Sequence, residues 1–187
     1  RKTLSGAVRG AMDAAASDSA ANIGTALHSM SEIADRGDDL TGFPEEFRRD
    51  IEAYRATMQT NNVQVLATEQ FVVCDELQTA GTFDRAVLHN GDRIIADIKT
   101  GAQAPKYALE TAAQVALYAR SKLYDPETGA RLDMNMNLER GLLIHLPQGE
   151  GECTLYDLDL DLGWQVACLA FDVRAMRKQK YAKALGA

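Results

Sequence analysis

Residues 76–101 read ELQTAGTFDRAVLHNGDRIIADIKTG, and the course of this stretch decides the fold. Asn90-Gly91 lies at its middle, between two runs rich in β-formers. That dipeptide suits a two-residue hairpin turn, because both central positions need positive φ. The expectation is two antiparallel strands, residues 82–89 and 92–100. Such a hairpin brings one carboxylate from each strand, Asp84 and Asp97, to its open end. Side chains alternate along a strand, so Asp97 and Lys99 share a face and Ile98 takes the other. Two acids and a lysine converging at the end of a sheet make a poor core and a good cation site.

Composition sets the bounds. The 187 residues, 46% hydrophobic, suffice for one domain with a substantial core, and no apolar run approaches a membrane span. The start lacks the apolar block of a signal peptide, and because Arg1 is not an initiating residue the natural beginning is expected upstream. A net charge of −7 argues against indiscriminate nucleic-acid binding, though it hides local patches. Cys74, Cys153 and Cys168 are odd in number and widely spaced, which fits a reducing cytoplasm and neither a disulfide framework nor a four-cysteine metal site.

Working outward, residues 1–17 are Ala-rich and read as helix. Ile23, Ala26, Leu27, Met30, Ile33 and Ala34 recur at helical spacing before Gly37. His28 and Glu32 fall on the side opposite that stripe, either as a solvated face or as one that closes over a site. Pro44 opens a helix marked by Phe47, Ile51, Tyr54 and Met58 and stopped at Asn61-Asn62. A strand over residues 67–74 precedes the hairpin. After Pro105 a helix is expected over 106–123, with Glu110, Gln114 and Tyr118 stacked at intervals of four. Residues 125–139 read as turn and loop. Residues 141–146 suit a strand buried on both faces, and 153–160 an edge strand with an acidic outer face. A last helix from about 162 is expected to bury Val166, Leu169, Ala170 and Val173. It ends in Arg174, Arg177, Lys178, Lys180 and Lys183, which read either as a helix end suited to the dipole or as a phosphate-contacting patch. With no internal repeat, one α+β domain over 1–187 is the economical reading, with a helical segment to about residue 60 and a basic helix over about 162–185.

Four pieces stand in order: Gly24-Thr25-Ala26-Leu27-His28 with Glu32, Gly81-Thr82-Phe83-Asp84, Asp97-Ile98-Lys99, and Gln114-Val115-Ala116-Leu117-Tyr118. Together they resemble the RecB-like branch of the PD-(D/E)XK nuclease superfamily, which includes phage exonucleases and CRISPR-associated iron–sulfur nucleases. The resemblance covers about residues 23–118. It implies a restriction-endonuclease-like core, a central mixed β-sheet flanked by helices. It also implies His28, Asp84, Asp97 and the Ile98 carbonyl as metal ligands, with Asp84, Asp97, Lys99, Gln114 and Tyr118 as the catalytic set. Gln114 and Tyr118 would also contact DNA, joined by Arg174, Arg177, Lys178 and Lys180 of the basic patch. Glu69 matches another acid of the family only loosely. The cofactor implied is Mg²⁺ or Mn²⁺, since oxygen-rich sites take hard cations that lower the pKa of bound water. Because the early and late cysteines of the iron–sulfur relatives are missing, no cluster is expected. His89 and His145 read as structural.

The function implied is a metal-dependent DNA nuclease, an exonuclease in recombination, repair or phage DNA processing. It would act on DNA in the cytoplasm of a bacterial cell or phage-infected host, away from membranes. With no phosphate-binding loop of the Walker type, a helicase or recombination protein would be a separate partner. Two alternatives stay open: a nuclease-fold module that binds DNA or protein without cutting, and a hydrolase of another phosphate ester.

Overall fold

The computed structural model describes residues 23–38 and 44–179. The expected helix over 1–17, together with Lys180 and Lys183, lies outside the described residues. What the structure describes is a mixed α+β fold: seven strands in one sheet, flanked by helices.

Helix α1 (residues 23–35) and helix α2 (Glu45–Thr60) precede strands β1 (Gln64–Cys74), β2 (Thr79–His89) and β3 (Asp92–Lys99). A 3-10 turn, Ala104–Tyr107, leads into α3 (Ala108–Ala119). Then come β4 (Lys122–Tyr124), β5 (Arg131–Asp133), β6 (Arg140–His145), β7 (Thr154–Asp159) and α4 (Leu160–Met176). The sheet order is β5-β4-β1-β2-β3-β6-β7, and β3 with β6 is its parallel pair. That parallel neighbour is reached through α3 and the short strands, as a crossover requires.

The hairpin forms as expected. Asn90 and Gly91 have φ of 55° and 89°, and His89 pairs with Asp92. Strand β2 starts earlier than expected, at Thr79. On β3, Ile94, Ala96 and Ile98 pack with Leu27, Ile51 and Tyr54 of α1 and α2. Ile95, between them, packs with Ala112 and Val115 of α3. The central strand is thus buried on both sides, and its alternation decides which helix layer each residue meets.

Several expectations need correction. The helix expected over 106–123 is shorter: Pro105 sits in the 3-10 turn, and the chain after Arg120 returns to the sheet as β4. The segment expected as loop contains β5, which pairs with β4 at the edge of the sheet. Helix α4 starts at Leu160, because Asp159 caps it by accepting from the Asp161 and Leu162 amides. Its buried face is Leu160, Gly163 and Ala167, whereas Leu169, Ala170 and Val173 are exposed. The reason is close packing: a Cβ on Gly163 would lie 2.6 Å from the Ala112 carbonyl carbon, so α4 turns its small residues toward α3. The apolar count alone favoured the wrong face. Among the described residues, no helix is long and apolar enough to cross a membrane.

Candidate metal centre

The pairing of β2 with β3 ends at Arg85 and Ala96. Beyond that point β3 continues beside β6, from Ala96–Leu142 to Lys99–His145. The two hairpin strands therefore part where Asp84 and Asp97 stand. The Ile98 amide, with no β2 carbonyl to meet, donates to Asp84 Oδ2 at 2.7 Å. A side chain thus takes over a ladder position and is fixed by it.

Alternation on β2 also breaks here. Arg85 faces the α1–α2 side, bonding to Asp35 and Ser31. Phe83, two residues away, packs with Ala86 on the α3 side instead. Opposite Asp84, between the pairs Thr68–Arg85 and Gln70–Phe83, stands Glu69 with φ of 49°. A left-handed residue in a strand is uncommon for anything but glycine, and such irregularities re-aim side chains. The result is a group of three: His28 from α1, Glu69 from β1 and Asp84 from β2 bring ligand atoms within 4.8 Å of one another. His28 Nδ1 lies 3.6 Å from Asp84 Oδ2.

One imidazole nitrogen and two carboxylates suit a divalent cation by donor chemistry alone. Electrostatics agree. Burial first, and the Lys99 and Arg85 cations after Asp84's opposing pull, hold His28 below its ordinary pKa, so the ring is neutral and able to ligate at neutral pH. Glu69 is pushed up by partial desolvation and then by the Asp84 and Glu32 charges. A bound cation would relieve that crowding of like charges. These residues can hold a divalent metal ion.

Asp97 stands beside this group and is spoken for differently. Burial, then the Asp84 charge, lifts its carboxyl to about 6, against the opposing pull of Lys99. Lys99 Nζ makes an ion pair with Asp97 Oδ2 at 2.7 Å, without hydrogen-bond geometry. The same ammonium donates to Gln114 Oε1 at 3.3 Å, and Gln114 Nε2 donates to the Tyr118 hydroxyl at 3.3 Å. Spacing of four on α3 produces that last contact. The Tyr118 ring lies against Gly81, where a Cβ would approach it to 2.8 Å. Four of the expected residues therefore form one chain, Asp97–Lys99–Gln114–Tyr118.

Gln114 stands between two cavities. One, of about 390 Å³, is walled by Lys99, Gln103, Tyr107 and Thr111; the other, of about 260 Å³, by Leu77, Leu117, Phe171 and Arg174. Among the described residues of the basic patch, Arg174 lines this region, and Arg177 and Lys178 are exposed farther along the chain. His145, the register partner of Lys99 on β6, is within hydrogen-bond distance of the Gly101 carbonyl through Nε2, at 3.0 Å.

Two differences from expectation concern α1 and the ligand set. His28 is half-buried beside Gly24, Leu27 and Ser31, so it flanks the buried face instead of opposing it. The group able to hold a cation includes Glu69, which sequence matched only loosely, and Asp97 stands beside it with Oδ2 2.7 Å from Lys99 Nζ. Ile98 touches this region through its backbone, whose amide donates to Asp84 Oδ2.

Comparison with protein-family models and with curated proteins finds no match to this chain.

Proposed function

We propose that this protein is a metal-dependent deoxyribonuclease with a restriction-endonuclease-like core of the RecB-like kind, acting as an exonuclease in recombination, repair or phage DNA processing. The observation that carries the reading is the cation-competent group His28–Glu69–Asp84 set at the parting of β2 and β3, directly beside the Asp97–Lys99 pair. Phosphodiester hydrolysis needs an activated water and neutralisation of charge growing on the phosphate. His28, Glu69 and Asp84 would hold a divalent cation, Mg²⁺ or Mn²⁺, which would supply a water of lowered pKa and positive charge.

The chain's own residues do the rest. Lys99 presents an ammonium, held by Asp97 on one side and Gln114 on the other, to the phosphate or the attacking water. Preorganised charge of this kind needs no rearrangement at the moment of reaction. Tyr118 steadies Gln114, and through it Lys99. The open cavity beside Lys99, walled in part by the exposed Tyr107 ring, gives a nucleotide room next to the ammonium. Arg174, at the second cavity, adds a cation on the path of a strand.

Digestion of end-labelled linear and circular DNA, single- and double-stranded, with Mg²⁺, Mn²⁺ or EDTA, tests this. Metal-dependent loss of linear DNA, absent with Asp97→Ala, is the expected result. Cutting of circles would make the enzyme an endonuclease. DNA retained in a gel shift but cut under no metal would replace catalysis with a binding role.

A further inference from the structure

Arg85 follows Asp84 on β2, and its side chain is fully buried. A buried guanidinium is costly unless its donors are met, and replacing such a group with apolar residues is often neutral for stability. What it is bonded to is therefore informative. Its NH1 donates to the Asp84 carbonyl at 3.3 Å. Its NH2 donates to Ser31 Oγ at 2.7 Å, and Ser31 Oγ in turn donates to the His28 carbonyl at 2.7 Å. Nε donates to Asp35 Oδ2 at 3.0 Å, and the Tyr54 hydroxyl donates to Asp35 Oδ1 at 2.6 Å.

One planar cation thus bonds the main chain of Asp84 directly and reaches that of His28 through the Ser31 hydroxyl. These are two of the three residues whose ligand atoms gather on the accessible side. His28 comes from α1 and Asp84 from β2, elements with no backbone ladder between them. Their separation must be set by side chains, and this network supplies the tie.

We propose that Arg85 is a positioning residue: acting directly on Asp84 and through Ser31 on His28, it fixes the spacing of the cation site. The proposal rests on the metal-binding reading of that site. Asp35 and Tyr54 have a different part. They neutralise the guanidinium and link it to the end of α1 and to α2. The fork geometry matters, because three donors in a fixed plane reach three separate acceptors, which an ammonium does not reproduce.

The test is Mn²⁺ binding, followed by the electron paramagnetic resonance of free Mn²⁺, with urea midpoints measured alongside. The variants are Ser31→Ala, Arg85→Lys, Tyr54→Phe and Asp84→Asn. Loss of an outer partner of a metal site weakens binding by about 10–100-fold. Ser31→Ala and Arg85→Lys are expected to weaken Mn²⁺ binding by about tenfold or more. Tyr54→Phe should lower the urea midpoint while leaving Mn²⁺ affinity alone, which separates positioning from general stability. If Arg85→Lys fails to fold, Ser31→Ala decides, since it removes one hydroxyl and leaves the guanidinium with Asp35. Wild-type affinity in a folded Ser31→Ala protein, with binding lost in Asp84→Asn, would overturn the positioning role and leave the metal site standing. Absence of Mn²⁺ binding in the wild type would overturn both.

Discussion

Lys99 Nζ lies 2.7 Å from Asp97 Oδ2, two residues apart on one face of β3, with the carboxylate sealed from solvent and the ammonium partly open to it. The pair is not a balanced one, because Asp97 also feels burial and the Asp84 charge, and its carboxyl is lifted to about 6. The folded-state value exceeds the ordinary 3.8, so folding favours the protonated form. This contribution to stability is full below the ordinary value and is lost as pH rises through about 6. With EDTA present, Asp97→Asn should therefore gain on the wild type in urea midpoint between pH 4 and pH 7. The gain is bounded by about 1.4 kcal/mol per pH unit between the two values. A gap between the two proteins that stays constant with pH would show that Asp97 ionises without penalty.

Lys99→Met removes the ammonium and leaves Asp97 beside Asp84 with its largest opposing cation gone. Cleavage should fall by about a hundredfold or more, the scale of losing one preorganised electrostatic contact. Mn²⁺ binding should be retained or strengthened, since a competing cation has left the site. Parallel loss of cleavage and Mn²⁺ binding would mean that Lys99 serves the fold of the site.

Gly81→Ala acts at a distance along the Tyr118–Gln114–Lys99 chain. The added methyl would sit 2.8 Å from Tyr118 Cε1 and hydroxyl, so the ring must move. Tyr118→Phe deletes only the 3.3 Å bond from Gln114. The glycine variant should therefore reduce kcat more than the phenylalanine one, each keeping a near-normal Mn²⁺ affinity. Equal kcat values would argue that Tyr118 placement is irrelevant to Lys99.

What was legible in the sequence follows from where its signals are local. Asn90-Gly91 fixes its own turn, and period-two alternation separates Ile98 from Asp97 and Lys99, so the hairpin and its open end could be read directly. Gln114 and Tyr118 meet because helical spacing is equally local. Glu69 could not be read this way. Its membership depends on a left-handed φ inside a strand and on register with Asp84, both products of tertiary pairing. The Arg85 network was missed although its traces are present: an arginine ahead of Ala86 and Val87, and a serine at the buried position between Leu27 and Ala34. Polar residues placed among core positions are the signal that was passed over. Helix α4 misled for the opposite reason, since its apolar residues outnumber what the core accepts, and contact with α3 selects small ones.

Gly163 makes that selection testable. In isolation, alanine is preferred to glycine inside a helix by about 1 kcal/mol, so propensity predicts that Gly163→Ala stabilises the protein. The structure predicts the reverse. The new Cβ would stand 2.6 Å from the Ala112 carbonyl carbon and 3.1 Å from the Ala113 amide nitrogen. These are backbone atoms of α3 that no rotamer change can move aside. Overpacking of this sort costs about 1–3 kcal/mol, and relief requires α4 to shift as a body. Helix α3 carries Gln114 and Tyr118, so a shift of the α3–α4 contact would also reach the Lys99 chain. The expected outcome is a lower urea midpoint together with reduced cleavage. A raised midpoint would show that α4 is free to stand off from α3, and that its buried face is set by something other than the small residues at the crossing.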